Sequence, residues 1–247
     1  MNKLSIQKQA QKLAQKINQP QQFAKELEVL LESLSNEEAT ANYRKIIPQM
    51  GRTFGVPKPV LDIIAQEISK AGEKNSETTL ELLSMLWQRG SFEERTITAK
   101  TLSKIGKRAP AKSLNLVQSF LQDIDNWSIC DVLATQGLRG IITNHRDEIL
   151  DLALKCIKDK NKWIKRFGVV ITVELAHNKK LEIPERVFEI IKLLMTAEDS
   201  DIKKATAWAL REISKREPQM VKNFLSDYQN SQNKNTQWII REGSKKL

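Results

Sequence analysis

Three stretches of the chain begin in the same way, and this internal repeat is the feature that most restricts the fold. Each has polar residues suited to capping a helix, then an apolar residue, and usually basic residues shortly after it. The corresponding positions, Trp127, Trp163 and Asp201, are about 36 and 38 residues apart. A helix pair of this length cannot bury its apolar face alone, so successive pairs must stack. The repeat predicts an all-α fold, an α-solenoid whose curvature creates a concave groove.

The scarcity of turn-forming residues supports helices joined by short loops. The 247 residues include only 9 glycines and 7 prolines, which disfavours a fold of many strands. Apolar residues recur with helical period, and Gly51 to Pro59 is the clearest break. Helices are expected at 3–17, 22–34, 37–48, 58–71, 78–88 and 92–105, with new helices beginning near Pro110, Pro184 and Pro218. An irregular helical bundle with a chance period is the alternative.

The charge of the chain is basic and evenly distributed. The net charge is +10, with 18 basic and 13 acidic residues in 1–123 and 22 and 17 in 124–247. A folded body of this sign attracts polyanions, most simply nucleic acid, through phosphate contacts. Charge alone does not decide the question, because many basic proteins bind no nucleic acid.

Several chemistries have no supporting pattern. The chain lacks the glycine-rich loops that bind nucleotides, the Gly-x-Ser-x-Gly elbow and the His-Glu-x-x-His zinc motif. With two histidines, neither a metal site nor a cofactor is expected, and acid–base work would fall on carboxylates. Cys130 and Cys156 suit inert buried thiols in a reducing cytosol. Neither a membrane span nor a signal peptide is expected.

Three groups of aromatic and charged residues stand out in the repeats. Trp127 and Asp131 are four residues apart, and Trp208 and Arg211 are three apart, so each pair shares one helix face. Arg166 follows the tryptophan of the middle repeat by three residues. Equivalent positions of a solenoid line one surface, so these five side chains are expected to converge in the groove.

The start of the first of these helices bears on the charge of Asp131. Asn126 or Asp125 is expected to cap it. Asp131 would then lie near the positive end of the helix dipole, which favours the ionised carboxylate.

Each of these residues also has a purely structural interpretation. A tryptophan in a helix pair is as often part of the core as of a site. Asp131 could be a surface residue or a local ion-pair partner, and Arg166 and Arg211 could be outer-face charges. The other tryptophans, Trp87, Trp163 and Trp238, are interpreted as packing residues.

Beyond these patterns, the chain resembles a known family from about residue 50 to 247. Asp125–Asp131, Lys160–Arg166 and Ala207–Glu212 are similar to segments of the HEAT-like-repeat DNA alkylation repair glycosylases, the alkylpurine DNA glycosylase D type. Gly55-Val56-Pro57 resembles the family's N-terminal break, and Arg241-Glu242-Gly243 its C-terminal end. The stretch that begins Asp201-Ile202-Lys203 is similar to the first helix of a HEAT repeat. The internal repeat predicts one continuous solenoid domain over 1–247, with N-terminal helices at 1–50 and HEAT-like repeats at 51–247. Residues 1–50 match the family only as amphipathic helices.

The resemblance also implies an activity. Such enzymes hydrolyse the N-glycosidic bond of purines alkylated at N3 or N7 in duplex DNA, and the cationic base leaves without a general acid. Asp131 would stabilise the positive charge that develops on the deoxyribose, and Trp127 and Trp208 would present indole faces to it. Arg166 would hold the adjacent phosphate.

Two further DNA contacts and one alternative complete the sequence-based hypothesis. Arg211 is a second candidate phosphate contact, and Lys165, where many relatives have arginine, is a third. The expected protein is a monofunctional glycosylase, a monomer that needs no cofactor. The alternative is a non-catalytic solenoid that binds DNA or a protein partner.

Overall fold

The structure is a computed structural model and describes residues 2–247. Helices account for all of its regular elements in that range, with no strand, so the predicted all-α class is confirmed. The helices are α1 (Lys3–Ala14), α2 (Pro20–Ser33), α3 (Glu37–Ile46), α4 (Lys58–Gly72), α5 (Ser76–Arg89), α6 (Phe92–Ile105), α7 (Pro110–Ser119), α8 (Trp127–Val132), α9 (Arg146–Cys156), α10 (Lys162–His177), α11 (Arg186–Lys192), α12 (Ser200–Ser214), α13 (Pro218–Ser226) and α14 (Lys234–Gly243). A 3-10 turn lies at Leu121–Asp123, and a π-helical segment, Leu133–Gly137, follows α8.

The helix starts agree with the local signals in the sequence. Asn126 and Asn161 cap α8 and α10, and Asp199 caps α12, because each side-chain oxygen accepts the first backbone N–H groups of its helix. Pro110 and Pro218 begin α7 and α13, where a missing N–H costs nothing. Pro184 lies two residues before the start of α11. No helix in residues 2–247 is long and apolar enough to cross a membrane.

The chain divides into two compact units, Met1–Ile141 and Ile142–Leu247. In the first unit α4 packs between α1 and α6, and α6 packs in turn against α8 and the π-helical segment. In the second unit α10 packs against α9 and α12, and α12 against α13 and α14. The expectation of one solenoid domain over 1–247 stays a prediction, because stacked repeats contact only their neighbours and a continuous array can also divide in this way.

Side-chain links between helices recur at a fixed sequence separation within each unit. A separation of 35 residues joins charged or polar side chains to partners one helix pair away. These links are Arg108 to Glu73, Lys112 to Glu77, Arg186 to Asp151 and Arg216 to the Leu181 carbonyl. The spacing lies close to the repeat length inferred from the sequence, as expected for similar helix pairs packed in register.

The predicted break between Gly51 and Pro59 is the loop that joins α3 to α4. Gly55 lies in it with φ at 76°, a left-handed conformation that glycine adopts without strain. A Cβ at this position would lie 1.9 Å from Thr40 Oγ1 and 2.8 Å from the Asn36 carbonyl oxygen. The loop is therefore closely packed against α3, and it fixes where α4 begins.

Candidate functional site

Trp127 and Asp131 lie four residues apart on α8, as predicted. The Asn126 side chain, which is buried, accepts hydrogen bonds from the Ser128 and Ile129 amides, both at 3.0 Å. Asn126 and not Asp125 is thus the cap, and it fixes the first turn of the helix. Both Trp127 and Asp131 are half-buried, so each keeps part of its side chain accessible to a ligand.

The expected effect of the helix dipole on Asp131 is not supported. Asp131 is the fifth residue of the six-residue α8, and no acidic residue lies in the first turn. The dipole acts on charges within about one turn of the helix end, so it contributes little here. Instead, Asp131 adjoins the π-helical segment, and its carbonyl accepts a hydrogen bond from the Thr135 hydroxyl at 2.7 Å.

The Trp127 indole is held in place by the end of α3. Its Nε1–H donates to the Ile46 carbonyl oxygen at 3.3 Å. Ile46 is the last residue of α3, a helix with no buried side chains, and its own side chain is exposed. This bond leaves the ring faces of Trp127 as the surface that could contact a partner.

A lysine from a distant part of the chain lies within electrostatic range of Asp131. Burial and the charge of Lys100 lower the pKa of Lys58, and the negative charges of Asp131 and Asp62 oppose this without reversing it. Lys58 is the first residue of α4. The carboxylate of Asp131 and the ammonium group of Lys58 therefore attract each other from two different helices.

The loop before Lys58 is fixed by Glu93 of α6. The Glu93 side chain is 0% exposed, and its carboxyl oxygens accept hydrogen bonds from the Thr53 hydroxyl and from three consecutive amides. These amides are Phe54, Gly55 and Val56, at 3.0, 2.9 and 3.1 Å. Four donors on one buried carboxyl group give this loop a single conformation.

Tyr43 completes the support of the α4 N-terminus. Its hydroxyl donates to the Val56 carbonyl oxygen at 2.8 Å. Burial raises the pKa of Tyr43 to about 12, with a further contribution from the charge of Glu93. The phenol therefore stays protonated and keeps its hydrogen bond to the Val56 carbonyl oxygen at neutral pH.

In the second unit, Trp208 and Arg211 share a face of α12, as predicted. Both are half-buried. The indole Nε1–H of Trp208 lies 3.3 Å from a carboxyl oxygen of Glu212, and Arg211 donates to the Glu242 carbonyl oxygen at 3.0 Å. Arg211 thus links α12 to α14 and still has part of its guanidinium group accessible.

Arg166 is less exposed than a surface phosphate contact would be. Its side chain is 6% exposed, and Nη1 donates to the Asp201 carbonyl oxygen at 2.5 Å, which links α10 to α12. Arg95 of α6 has a similar role in the first unit, where it donates to the Asp123 carbonyl oxygen at 2.9 Å. Lys165, the neighbour of Arg166, is half-buried.

The structure brings some predicted residues together within each unit. Trp127 and Asp131 share α8, while Arg166 reaches the first turn of the helix that carries Trp208 and Arg211. The expected convergence of all five side chains in one groove stays a prediction.

Sequence reasoning missed Lys58 and Glu212. Glu212 follows Trp208 by four residues, the same spacing as Trp127 and Asp131, so the repeat could have revealed it. Burial raises the pKa of Glu212, but hydrogen bonds from Lys215 and His177 outweigh it and the net shift is downward. No local signal links Lys58 to Asp131, because their proximity comes from packing between helices.

Two of the remaining three tryptophans are buried, as expected of packing residues. Trp87 is fully buried and stacked on Phe120, with ring centroids 4.3 Å apart and ring planes 8° apart. Trp163 is also buried, and the Lys162 ammonium lies 4.3 Å from its ring centroid. Trp238 is half-buried on α14.

The fold and these residues define a class of protein. It is an all-helical chain that carries a tryptophan and a carboxylate four residues apart on two helices, with arginines that join successive helices. The family model described as DNA alkylation repair enzyme matches residues 27–247. The chain belongs to this family, which confirms the resemblance seen in the sequence.

Solved structures with the same fold include three from bacteria. A predicted DNA alkylation repair enzyme from Enterococcus faecalis has a TM-score of 0.70 at 19% identity, over 86% of this chain and 96% of that one. The Pseudomonas fluorescens alkylpurine DNA glycosylase AlkC, bound to DNA containing an abasic site analog, has a TM-score of 0.56 at 14% identity, over 96% and 61%. The structure of smu.31 from Streptococcus mutans UA159 has a TM-score of 0.54 at 18% identity, over 76% of this chain and 98% of that one. No curated protein sequence matches the chain.

Proposed function

We propose that the protein is a monofunctional DNA glycosylase that hydrolyses the N-glycosidic bond of N3- or N7-alkylated purines in duplex DNA. The observation that carries the proposal is the pair Trp127 and Asp131, half-buried and four residues apart on α8, in a chain of the DNA alkylation repair family. The helix pairs of each unit are HEAT-like repeats in this proposal, which the recurring 35-residue links support.

The reaction needs stabilisation of positive charge more than proton transfer. When the bond between C1′ and the purine nitrogen breaks, its electron pair leaves with the cationic base, which becomes neutral. Positive charge then remains on the deoxyribose, and Asp131 stabilises it at short range. Water attacks C1′, and its proton passes to Asp131 or to solvent. No general acid is required, because the alkylated base is already a good leaving group.

The aromatic residues contribute through their ring faces. An indole face attracts a cation by about 0.5–2 kcal/mol, depending on how far it is desolvated. The hydrogen bond from Trp127 to Ile46 restricts the ring, which reduces the rotamer entropy that is lost on binding. Trp208 is the second indole in this proposal, as the sequence predicted.

The basic residues hold the DNA backbone. Arg211 and Lys165 are half-buried and have donors available for phosphate oxygens. Arg166 donates to the Asp201 carbonyl oxygen, so it also positions the first turn of α12. Its substitution should therefore impair both phosphate binding and the position of Trp208.

The test is release of 7-methylguanine from methylated duplex DNA. Asp131→Asn keeps the size of the side chain and removes its charge, and we expect a rate at least about 100-fold lower than wild type. Asp147→Asn is the matched control, since Asp147 is an exposed aspartate of α9, and it should react like wild type. Equal rates for Asp131→Asn and wild type would remove Asp131 from the mechanism.

Absence of base release by the wild-type protein would remove the enzyme proposal altogether. A salt titration then separates the alternatives of a non-catalytic protein. A DNA-binding protein gives a log–log slope of about −0.9 for each phosphate neutralised, whereas a flat response favours a protein partner.

A further inference from the structure

Three charged side chains meet between α4 and α6 in the first unit. Lys58 and Asp62 are four residues apart on α4, so they lie on the same face about one turn apart. Lys100 of α6 reaches across, and its Nζ lies 2.5 Å from Asp62 Oδ1. Lys100 thus pairs directly with Asp62, and the charges of both act on Lys58.

This arrangement is held by both helices. Glu93 and Lys100 are seven residues apart on α6 and therefore share a face. The first binds the loop that precedes α4, and the second binds Asp62 within α4. The Tyr43 hydroxyl also binds this loop, at the Val56 carbonyl oxygen two residues before Lys58. The backbone positions of both lysines are therefore set before any ligand arrives.

The local charge is unbalanced in favour of an anion. Lys58 and Lys100 repel each other, and this repulsion is the second cause, after burial, of the lowered pKa of Lys58. Asp62 is the carboxylate between them, and Asp131 is the other acid that acts on Lys58. Lys104 lies four residues after Lys100 on α6, so three lysines face these two carboxylates and one positive charge remains for a further negative group.

A cavity beside Lys100 provides the space for such a group, and Lys58, exposed at the start of α4, lies outside its lining. The cavity has a volume of about 390 Å³ between α4 and α6. Its lining includes Asp62, Lys100, Ser103, Lys104 and Gln136, and it reaches the π-helical segment that adjoins Asp131. Two other charged residues of the lining, Lys70 and Glu73, form ion pairs with Glu67 and Arg108, so their charges are compensated.

We propose that Lys58 and Lys100 form a binding site for one phosphodiester of duplex DNA, and that Asp62 is the competing carboxylate that restrains Lys100 until DNA binds. This inference rests on the proposed function, because it assigns the phosphate contact nearest to Asp131 in the first unit. Lys104 extends the site along the cavity. Asp62 lowers the affinity, because it competes with the phosphate for the ammonium group of Lys100.

The experiment measures binding of a short unmodified DNA duplex by fluorescence anisotropy over a range of salt concentrations. Lys58→Ala and Lys100→Ala should each weaken binding about three- to tenfold and make the log–log salt slope shallower by about 0.9. Asp62→Asn should have the opposite effect and tighten binding about threefold, because Lys100 is released. A gain in affinity cannot result from misfolding.

Matched controls come from a second lysine–carboxylate pair of the same unit, Lys112 and Glu77. Lys112→Ala and Glu77→Gln make the same charge changes on α7 and α5, and both should bind DNA like wild type. Equal losses from Lys100→Ala and Lys112→Ala would show an effect of net charge alone and overturn the site. Unchanged or weaker binding by Asp62→Asn would overturn the role of Asp62.

The same measurements distinguish this proposal from the glycosylase proposal. If wild type binds DNA and releases 7-methylguanine while the Lys58 and Lys100 variants bind normally, the phosphate site alone is refuted. If wild type binds DNA and the lysine variants do not, but no base is released, the glycosylase proposal fails and the phosphate site stands. If wild type binds no DNA, both are refuted.

Discussion

Removal of the Glu93 carboxyl group should destabilise the loop between α3 and α4 by an amount that depends on the replacement. Glu93→Ala leaves the buried amide of Val56 without an acceptor and the amide of Gly55 with only the Thr53 hydroxyl, and an unsatisfied buried group costs about 1–3 kcal/mol. The lost side chain also leaves a cavity. We expect a total of about 4 kcal/mol.

Glu93→Gln should destabilise the loop much less than Glu93→Ala, because the two carboxyl oxygens accept different numbers of hydrogen bonds. Oε1 accepts from the Thr53 hydroxyl and from the amides of Gly55 and Val56, whereas Oε2 accepts only from the Phe54 amide. A glutamine can keep its carbonyl oxygen in the first position. Its NH₂ group then faces one N–H group, at a cost of about 1–2 kcal/mol.

Amide hydrogen exchange at Gly55 and Val56 is the direct measurement, because it detects local opening as well as global unfolding. Exchange should be fast in Glu93→Ala and nearly native in Glu93→Gln, and the midpoint of urea unfolding should fall in the same order. Glu81→Ala, at an exposed glutamate of α5, is the control and should change neither quantity. Equal effects of the alanine and glutamine variants would refute the assignment of the hydrogen bonds.

Two other predictions concern titratable groups. The lowered pKa of Glu212 means that its ionised carboxylate stabilises the fold at pH values above the ordinary pKa of 4.5. This stability is lost as the pH falls through the lower pKa of the folded state, so the advantage of wild type over Glu212→Gln in urea unfolding should shrink in acid. An advantage that does not depend on pH would contradict this. Burial raises the pKa of Cys156 to about 12, so the native thiol should resist iodoacetamide near neutral pH and react after unfolding; rapid native labelling of Cys156 in a Cys130→Ser background would exclude this interpretation.

The parts of the fold that the sequence predicts are those set by local chemistry. Asn126, Asn161 and Asp199 each stand directly before a helix, and a side-chain oxygen at that position accepts the first amides whatever the rest of the chain does. The spacing of Trp127 and Asp131 is likewise a property of one helix. These features could be read from a few neighbouring residues.

The parts that could not be predicted depend on which neighbour a side chain meets. Arginine is usually a surface residue, yet the guanidinium group of Arg166 donates a hydrogen bond to the Asp201 carbonyl oxygen in the next helix pair. Lys58 and Asp131 come from different helices, and only the packing of α4 and α8 on α6 brings their charges into range. A sequence gives the charge of a residue but not the partner that it meets.

The placement of Asp131 has a consequence for how its charge is controlled. α8 is short, and Asp131 lies at its junction with a π-helical segment, where the dipole of the helix N-terminus has little effect. Lys58 is one positive charge that acts on it, and the loop that precedes Lys58 is held by Glu93 and Tyr43. The environment of Asp131 therefore includes a charge from a part of the chain far away in sequence, and the residues of α8 alone could not predict it.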